Sequence, residues 1–351
     1  MLYVNGYRQE LENYVRENES LLKSFDGQSF LISGAAGLIG SYLIDILLTA
    51  KRVINLDVHI LACDRNRSLL AERFERENTD VVRMCDVDVC KGDLPDIAVD
   101  YIVHAASNTS PVDYATKPID TIRTNIIGTD ELCDYAVRNR AKRFLFCSSV
   151  EAYGRNNGDV DRFAEDYSGY VDSNTVRANY PAAKRCSEAL CNAYAAENPS
   201  FDFVIARIGR FYGPTVIAGD SKAPTQFIRN AVAGESIVLK SDGSQLYSWG
   251  YVGDCAIALL TILSRGERGG AYNVADPASC KTLREFAAIA ASAGNGKVEF
   301  IAQSAVEQAG YSKITKATLD TTRIESLGWK AMHHLETGIP RTVNYLKQLW
   351  R

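Results

Sequence analysis

The chain lacks the paired cysteines that build metal centres and disulfide frames. Its nine cysteines include no C-x-x-C, and Cys63, Cys85 and Cys147 lie inside or beside apolar strand-like runs. Cys186 and Cys191 are five apart on a predicted helix, which does not put two ligands on one face. Histidine is scarce as well: there are four, and two are the adjacent His333–His334 near the C-terminus. These shortages predict reduced structural thiols and no metal. No run of lysine and arginine with interleaved aromatics occurs, and the net charge of -4 speaks against nucleic acid or an anionic membrane as partner. The apolar stretch after Gly40 is broken by Asp45, so no bilayer span is expected. Met1–Glu10 is polar and has no apolar leader core, so the expected location is the cytoplasm.

What is present is an alternation. After a predicted amphipathic helix over 7–24 (Leu11, Tyr14, Val15, Leu21 and Leu22 at helical spacing), apolar runs appear at Phe30–Ser33, Val58–Cys63, Val81–Met84, Tyr101–His104 and Phe144–Cys147. Helical segments lie between them, notably Leu38–Thr49 and Asp120–Arg140. A helix at Pro181–Glu197 and a run at Phe203–Arg207 follow, then helices near Gln226–Ala233, Asp254–Ser264, Leu283–Ala293 and Leu335–Leu349. Short buried strands alternating with helices predict an α/β fold with a doubly wound parallel sheet covered on both faces. The 351 residues divide into a helical extension (1–25), a nucleotide-binding domain (26–208, rejoined near 249–275) and a smaller interleaved substrate lobe (209–351).

The first strand runs into Gly34-Ala35-Ala36-Gly37-Leu38-Ile39-Gly40, a G-x-x-G-x-x-G loop that opens a helix. Glycine allows a tight turn and close backbone approach to a pyrophosphate, and the helix N-terminus supplies amides and partial positive charge. Asp64 ends the second strand, where it can accept hydrogen bonds from ribose hydroxyls and would repel a 2′-phosphate. NAD is therefore expected rather than NADP, with Arg65 and Arg67 nearby as the opposing signal, and the domain is predicted to be of Rossmann type. The glycine spacing is similar to that of the short-chain dehydrogenases.

Of the 18 tyrosines, only Tyr180 has a lysine four residues on, Lys184. On a helix both side chains share a face. An ammonium beside a phenol, with a nicotinamide ring nearby, is expected to favour phenolate and make Tyr180 a base for a substrate alcohol. The fifth strand ends in Cys147-Ser148-Ser149-Val150-Glu151-Ala152-Tyr153-Gly154, where the Ser149 hydroxyl can bond the same substrate oxygen.

With these segments in place the chain resembles the NAD-dependent epimerase/dehydratase family, the extended short-chain dehydrogenases that act on nucleotide sugars. The resemblance runs from Phe30 to Leu349. It includes His104-Ala105-Ala106, Asn125 in Thr124-Asn125-Ile126-Ile127-Gly128-Thr129, Arg207 with Tyr212-Gly213-Pro214, Tyr251-Val252-Gly253-Asp254 and Leu327-Gly328-Trp329. It implies Tyr180, Lys184 and Ser149 as catalytic trio, Asp86 and Val87 against adenine, and His104, Ala105, Ala106 and Asn125 around the rest of the cofactor. It also implies a tightly held, recycled NAD and a homodimer through the helices at Asp120–Arg140 and Pro181–Glu197.

Within that family Glu151 stands where 4,6-dehydratases and UDP-glucuronate decarboxylases carry glutamate, and the stretches His104–Pro118 (with Pro111 and Tyr114) and Arg177–Tyr194 are most similar to the decarboxylases. The plainer alternative is a Glu151 that caps a turn or pairs with Arg155. Two positions depart from the pattern. Val150 stands where dTDP-sugar dehydratases have aspartate, and Tyr247 replaces the arginine of Gly-Ser-Gln-x-Arg in Gly243–Val252. Arg210 in turn replaces the asparagine expected in Arg207–Gly213, and its guanidinium, with Lys222 or Lys313, can hold the substrate's anion. Ser107, Arg210 and Tyr247 are thus the expected substrate contacts. The leading expectation is a nucleotide-sugar decarboxylase or dehydratase; the others are a net NAD(P)H-dependent reductase or epimerase, and a catalytically silent cofactor sensor.

Overall fold

The computed structural model describes residues 4–109, 111–217, 219–301 and 315–350. The apolar runs form β1 (Gln28–Ser33), β2 (Val58–Asp64), β3 (Val82–Asp86), β4 (Tyr101–His104), β5 (Arg143–Ser149) and β6 (Phe203–Ile208). Then come β7 (Arg210–Tyr212), β8 (Ile237–Leu239), β9 (Leu246–Tyr251), β10 (Ala271–Val274), β11 (Cys280–Thr282), β12 (Val298–Phe300) and β13 (Lys316–Ala317). Seven strands make one sheet in the order β3-β2-β1-β4-β5-β6-β10, parallel throughout. Strand order reverses between β1 and β4, which opens a crevice at their carboxyl ends, the Rossmann-type ligand position.

Because successive side chains leave a strand on opposite faces, β1 feeds two apolar cores. Phe30 and Ile32 join the larger one, with helices α3 (Leu38–Ile54) and α9 (Val252–Arg265). Leu31 joins the smaller one, with α6 (Pro118–Arg138) and α7 (Asn179–Glu197). Both faces of the sheet are covered, which is why its strands read as continuous apolar runs.

Past β6 the chain builds the second lobe. β9 pairs with β7, β11 and β13, while β8 pairs with β12. Helix α8 (Ala223–Ala233) packs against α10 (Leu283–Gly294), which begins with a reciprocal Thr282–Glu285 capping box. α9 and β10 return to the main sheet, so the lobes share one chain path rather than being strung apart.

The N-terminal segment differs from the single helix expected over 7–24. It forms α1 (Asn5–Glu17) and α2 (Glu19–Lys23), broken at Asn18, whose side-chain amide donates to the Tyr14 carbonyl at 2.9 Å. An asparagine that bonds its own backbone competes with the helical ladder, a cost that apolar spacing does not register. α1 docks through polar contacts as well as apolar ones. Glu10, 2 % exposed, accepts hydrogen bonds from the hydroxyls of Tyr42, Tyr251 and Tyr345 at 2.7, 2.5 and 3.1 Å. Tyr7 donates to Asp45 at 2.7 Å and Tyr14 to Asp254 at 2.8 Å. No described helix is long and apolar enough to cross a membrane.

Candidate active site

A cavity of about 900 Å³ lies across the carboxyl ends of the central strands and continues under the second lobe. One end is made by the glycine loop. Gly34 has φ +69°, and a Cβ there would come within 2.8 Å of the Ala106 amide nitrogen, so only glycine lets the β1 turn lie against the segment that follows β4. At Gly40 a Cβ would stand 2.3 Å from the Gly34 carbonyl oxygen, so the first turn of α3 seats directly on the loop. Gly37 is the N-cap of α3 and, with Leu38 and Ile39, presents the helix start to the cavity. Asp64 lies on the wall at the end of β2; its carboxylate accepts from the Ala36 amide at 3.2 Å and the Asn66 amide at 3.0 Å. This cradle, with a carboxylate beside it, fits a dinucleotide without a 2′-phosphate. Arg65 also lines the cavity, but its guanidinium is engaged by Asn108 at 2.6 Å and Asp120 at 3.2 Å.

Val87, Ala105, Ala106 and Ser107 are on the wall, whereas four residues expected at the cofactor are not. Asp86 is exposed at the end of β3, and the three residues that follow it, Val87, Asp88 and Val89, line the cavity. Ala36 lies buried behind the loop. His104 is buried with its Nδ1 2.8 Å from the Ser33 hydroxyl, and burial, aided by Lys184, lowers its pKa to about 3. Asn125 is fully buried; it accepts from the Ser107 hydroxyl at 3.0 Å and donates to the Thr121 carbonyl at 2.7 Å. His104 and Asn125 therefore brace the wall from behind rather than form it.

The other end gathers charged and aromatic side chains. Tyr180 and Lys184 rise from the first turns of α7, which Arg207 of β6 fastens to the sheet through Glu188 (Nη2 to Oε2 2.7 Å, Nε to Oε1 3.0 Å). Ser149 ends β5, and its hydroxyl accepts from the Glu151 amide at 3.2 Å in the short 3-10 turn that follows. Ser149, Glu151, Tyr180 and Lys184 all face the cavity.

The Lys184 ammonium lies 5.7 Å over the Tyr180 ring. It donates to the Cys147 carbonyl at 2.7 Å and lies 4.6 Å over the Phe146 ring, and burial lowers its pKa to about 8. Burial first, then the Glu151 carboxylate, push Tyr180 well above the usual phenol range, with the Ser149 and Tyr114 hydroxyls pulling back. Four-residue spacing puts the two residues on one face, but the nearest carbonyl claims the ammonium.

Glu151 is ion-paired, though not with Arg155. Arg177, three residues before Tyr180, donates to both carboxylate oxygens at 2.9 and 2.7 Å. Its guanidinium lies 4.9 Å over the Tyr114 ring, and Tyr114 stacks on Tyr180 at 4.8 Å and 22°. Tyr114 comes from α5 (Pro111–Thr116), which Asn179 ties to α7 by donating to the Tyr114 carbonyl at 2.7 Å. Sequence reasoning placed Arg177 and Tyr114 in stretches similar to the decarboxylases but gave neither a role at the site.

Arg210 and Tyr247 meet on paired strands β7 and β9, the guanidinium 3.9 Å over the phenol ring. Both line the cavity, and the buried Arg210 Nε has no hydrogen-bond partner among the described residues. Lys222 is committed to Asp220 at 3.2 Å. Lys313 lies outside the described residues. No group of three or more potential metal ligands occurs among the described residues.

The model of the NAD dependent epimerase/dehydratase family matches residues 30–275. The chain belongs to this family. Its cofactor is NAD, and it is an enzyme of the extended short-chain dehydrogenase type. UDP-glucuronic acid decarboxylase 1 of Danio rerio is 31% identical over 93% of this chain and 74% of its own length. UDP-glucuronic acid decarboxylase 4 of Arabidopsis thaliana is 31% identical over 91% of this chain and 68% of its own. Among solved structures, a UDP-glucose 4-epimerase from Thermotoga maritima aligns with TM-score 0.77 at 21% identity, over 92% of this chain and all of its own. DesIV, a dTDP-glucose 4,6-dehydratase from Streptomyces venezuelae solved with NAD and TYD bound, aligns with TM-score 0.76 at 24% identity, covering 91% and 97%. These likenesses place the seven-stranded sheet in the family fold.

Proposed function

We propose that this family member oxidises C4 of a nucleotide-linked hexuronate and then releases its carboxylate as CO2, with UDP-glucuronate the first substrate to test. The observation that carries this reading is the convergence of Ser149, Glu151, Tyr180 and Lys184 on one cavity whose opposite end is the glycine cradle. NAD, when bound in that cradle, supplies the hydride acceptor. Ser149 orients the C4 hydroxyl and Tyr180 takes its proton. The Lys184 ammonium, already desolvated, stabilises the phenolate once the bound cofactor's ring adds its positive charge. In the resulting β-keto acid the C5–C6 bond breaks, CO2 leaves and the electron pair passes into the C4 carbonyl. A solvent proton then fills C5, Tyr180 returns its proton to O4, and C4 is reduced again.

Arg210 is the cation for the substrate's carboxylate. Support comes from its unpartnered buried Nε, its place on the cavity wall and the Tyr247 ring that holds the guanidinium in a fixed plane. The relatives' names agree with a hexuronate substrate. Incubation with UDP-glucuronate and no added NAD tests the reading: CO2 and a UDP-pentose in equal amounts support it, and unchanged substrate or a C4-inverted hexuronate refutes it.

A second copy of the chain is proposed to cover α6, which leaves Ile119, Ile122 and Ile127 exposed on the helix that packs against α7. Ultracentrifugation giving a monomer of 38.6 kDa at working concentration would refute the dimer.

A further inference from the structure

We infer that Arg177 is a positioning residue that fixes the plane of the Glu151 carboxylate and so directs the 4-ketone towards loss of CO2 instead of loss of the C5 proton. The inference rests on the decarboxylase reading above. A carboxylate that abstracts a proton from carbon needs a lone pair aimed at that proton. Each Glu151 oxygen spends one lone pair on a charge-assisted hydrogen bond from the same guanidinium nitrogen, at 2.9 and 2.7 Å, which fixes the plane of the carboxylate and so the direction of the lone pairs that remain. The guanidinium cannot easily swing aside. It is sandwiched between Glu151 and the Tyr114 ring, and Tyr114 is itself stacked on Tyr180. Asn179 holds the backbone of that tyrosine to the start of α7, two residues from Arg177. Arg177, Tyr114 and Tyr180 thus form one column, with Glu151 clasped at its side and only 12 % of its side chain exposed.

The two reactions open to a C4 ketone differ in what they ask of this carboxylate. Elimination across C5–C6 needs a base to take the C5 proton while a C6 hydroxyl leaves. Loss of CO2 needs no base: the C5–C6 electron pair flows into the carbonyl as the C–C bond breaks, and the proton that later fills C5 comes from solvent. A clasped Glu151 serves the second and obstructs the first. Arg210, a second guanidinium on this wall, has no carboxylate partner among the described residues, so the two arginines divide the work between the enzyme's carboxylate and the substrate's.

UDP-glucose is the probe, because it can be oxidised at C4 but has no carboxylate to lose. Wild-type protein, Arg177→Met, Arg177→Lys and the double variant Arg177→Met/Glu151→Gln are incubated with it in deuterated buffer. Deuterium at C5 of the recovered sugar is read by mass spectrometry and normalised to the bound NADH formed. Wild type is expected to show no wash-in above background. Arg177→Met should show at least a tenfold rise, Arg177→Lys a return towards wild type, and the double variant no wash-in. Wash-in by wild type comparable to that of Arg177→Met overturns the inference, as does wash-in that survives Glu151→Gln; the wild-type arm decides even if a variant does not fold. Absence of NADH from both UDP-glucose and UDP-glucuronate would refute the oxidation on which the inference rests, a failure visible separately from the isotope result.

Discussion

Two glutamates, Glu10 buried among tyrosines and Glu151 half-buried beside an arginine, sit in different parts of the molecule and do opposite things. Glu10 is held by three phenols; among the described residues its paired cation is Arg341 at 3.8 Å, and the neighbouring His333 is kept neutral by burial, which lowers its pKa to about 4. Burial raises its pKa, and the hydroxyls only partly offset that. Glu151 has a guanidinium on both oxygens and a tyrosine column beside it, at the wall of a large cavity. The first is a clasp that fastens α1 to α3, β9 and the C-terminal helix Leu335–Leu349; the second lines the candidate reaction site. What separates them is the close counter-cation and the size of the cavity each one lines, about 450 Å³ beside Glu10 and about 900 Å³ beside Glu151, not the residue type. Losses at the first should appear in stability and losses at the second in turnover.

The sharpest way to break that contrast is Tyr180→Phe. Removing the base should lower CO2 formation by about 10²–10⁴-fold while the melting temperature stays within a few degrees; a stability loss without an activity loss would erase the distinction. Next comes Arg210→Ala. Losing a charge-assisted contact of about 1.5–3 kcal/mol should raise the KM for UDP-glucuronate roughly ten- to hundredfold. An unchanged KM would remove Arg210 from the substrate site.

Glu10→Ala should do the reverse of Tyr180→Phe. It leaves three buried hydroxyls short of an acceptor, and an unsatisfied group costs about 1–3 kcal/mol. A melting temperature lowered by several degrees, with kcat unchanged at 25 °C, is the expected result, checked by calorimetry and initial rates.

The smallest effect concerns pH. Burial raises the Asp254 carboxyl, which Tyr14 of the same clasp contacts, to about 7 from an ordinary 3.8. Folding therefore favours its protonated form, so its stabilising contribution is full below about pH 4 and is lost as pH rises through about 7. Asp254→Asn should flatten the fall in melting temperature between those limits.

The two glutamates also differ in how much of their surroundings could be read from the chain. The glycine loop and the Tyr180–Lys184 pair were legible because each is built within a few residues, where spacing on a turn or helix dictates geometry. Glu151 was legible as a site residue by its segment, but its partner was not. Arg177 is 26 positions away, and only the packing of α7 beside the 3-10 turn after β5 brings them together. The clasp was less legible still: Glu10 meets Tyr251 and Tyr345 across 241 and 335 positions, and a buried glutamate in an amphipathic helix looks like any solvated one. The surroundings of His104 and Asn125 were not legible either, because buried hydrogen bonds to Ser33, Ser107 and Thr121 decide where those side chains sit and sequence spacing does not.

The measurement that bears most directly on the function is release of labelled CO2 from C6-labelled UDP-glucuronate by the purified protein, with no NAD added and the UDP-sugar product identified by mass. Many turnovers per protein chain, one CO2 per UDP-pentose, are expected, with Tyr180→Phe inactive. Retention of all the label while NADH is consumed stoichiometrically, or while the sugar merely inverts at C4, would contradict the decarboxylase reading.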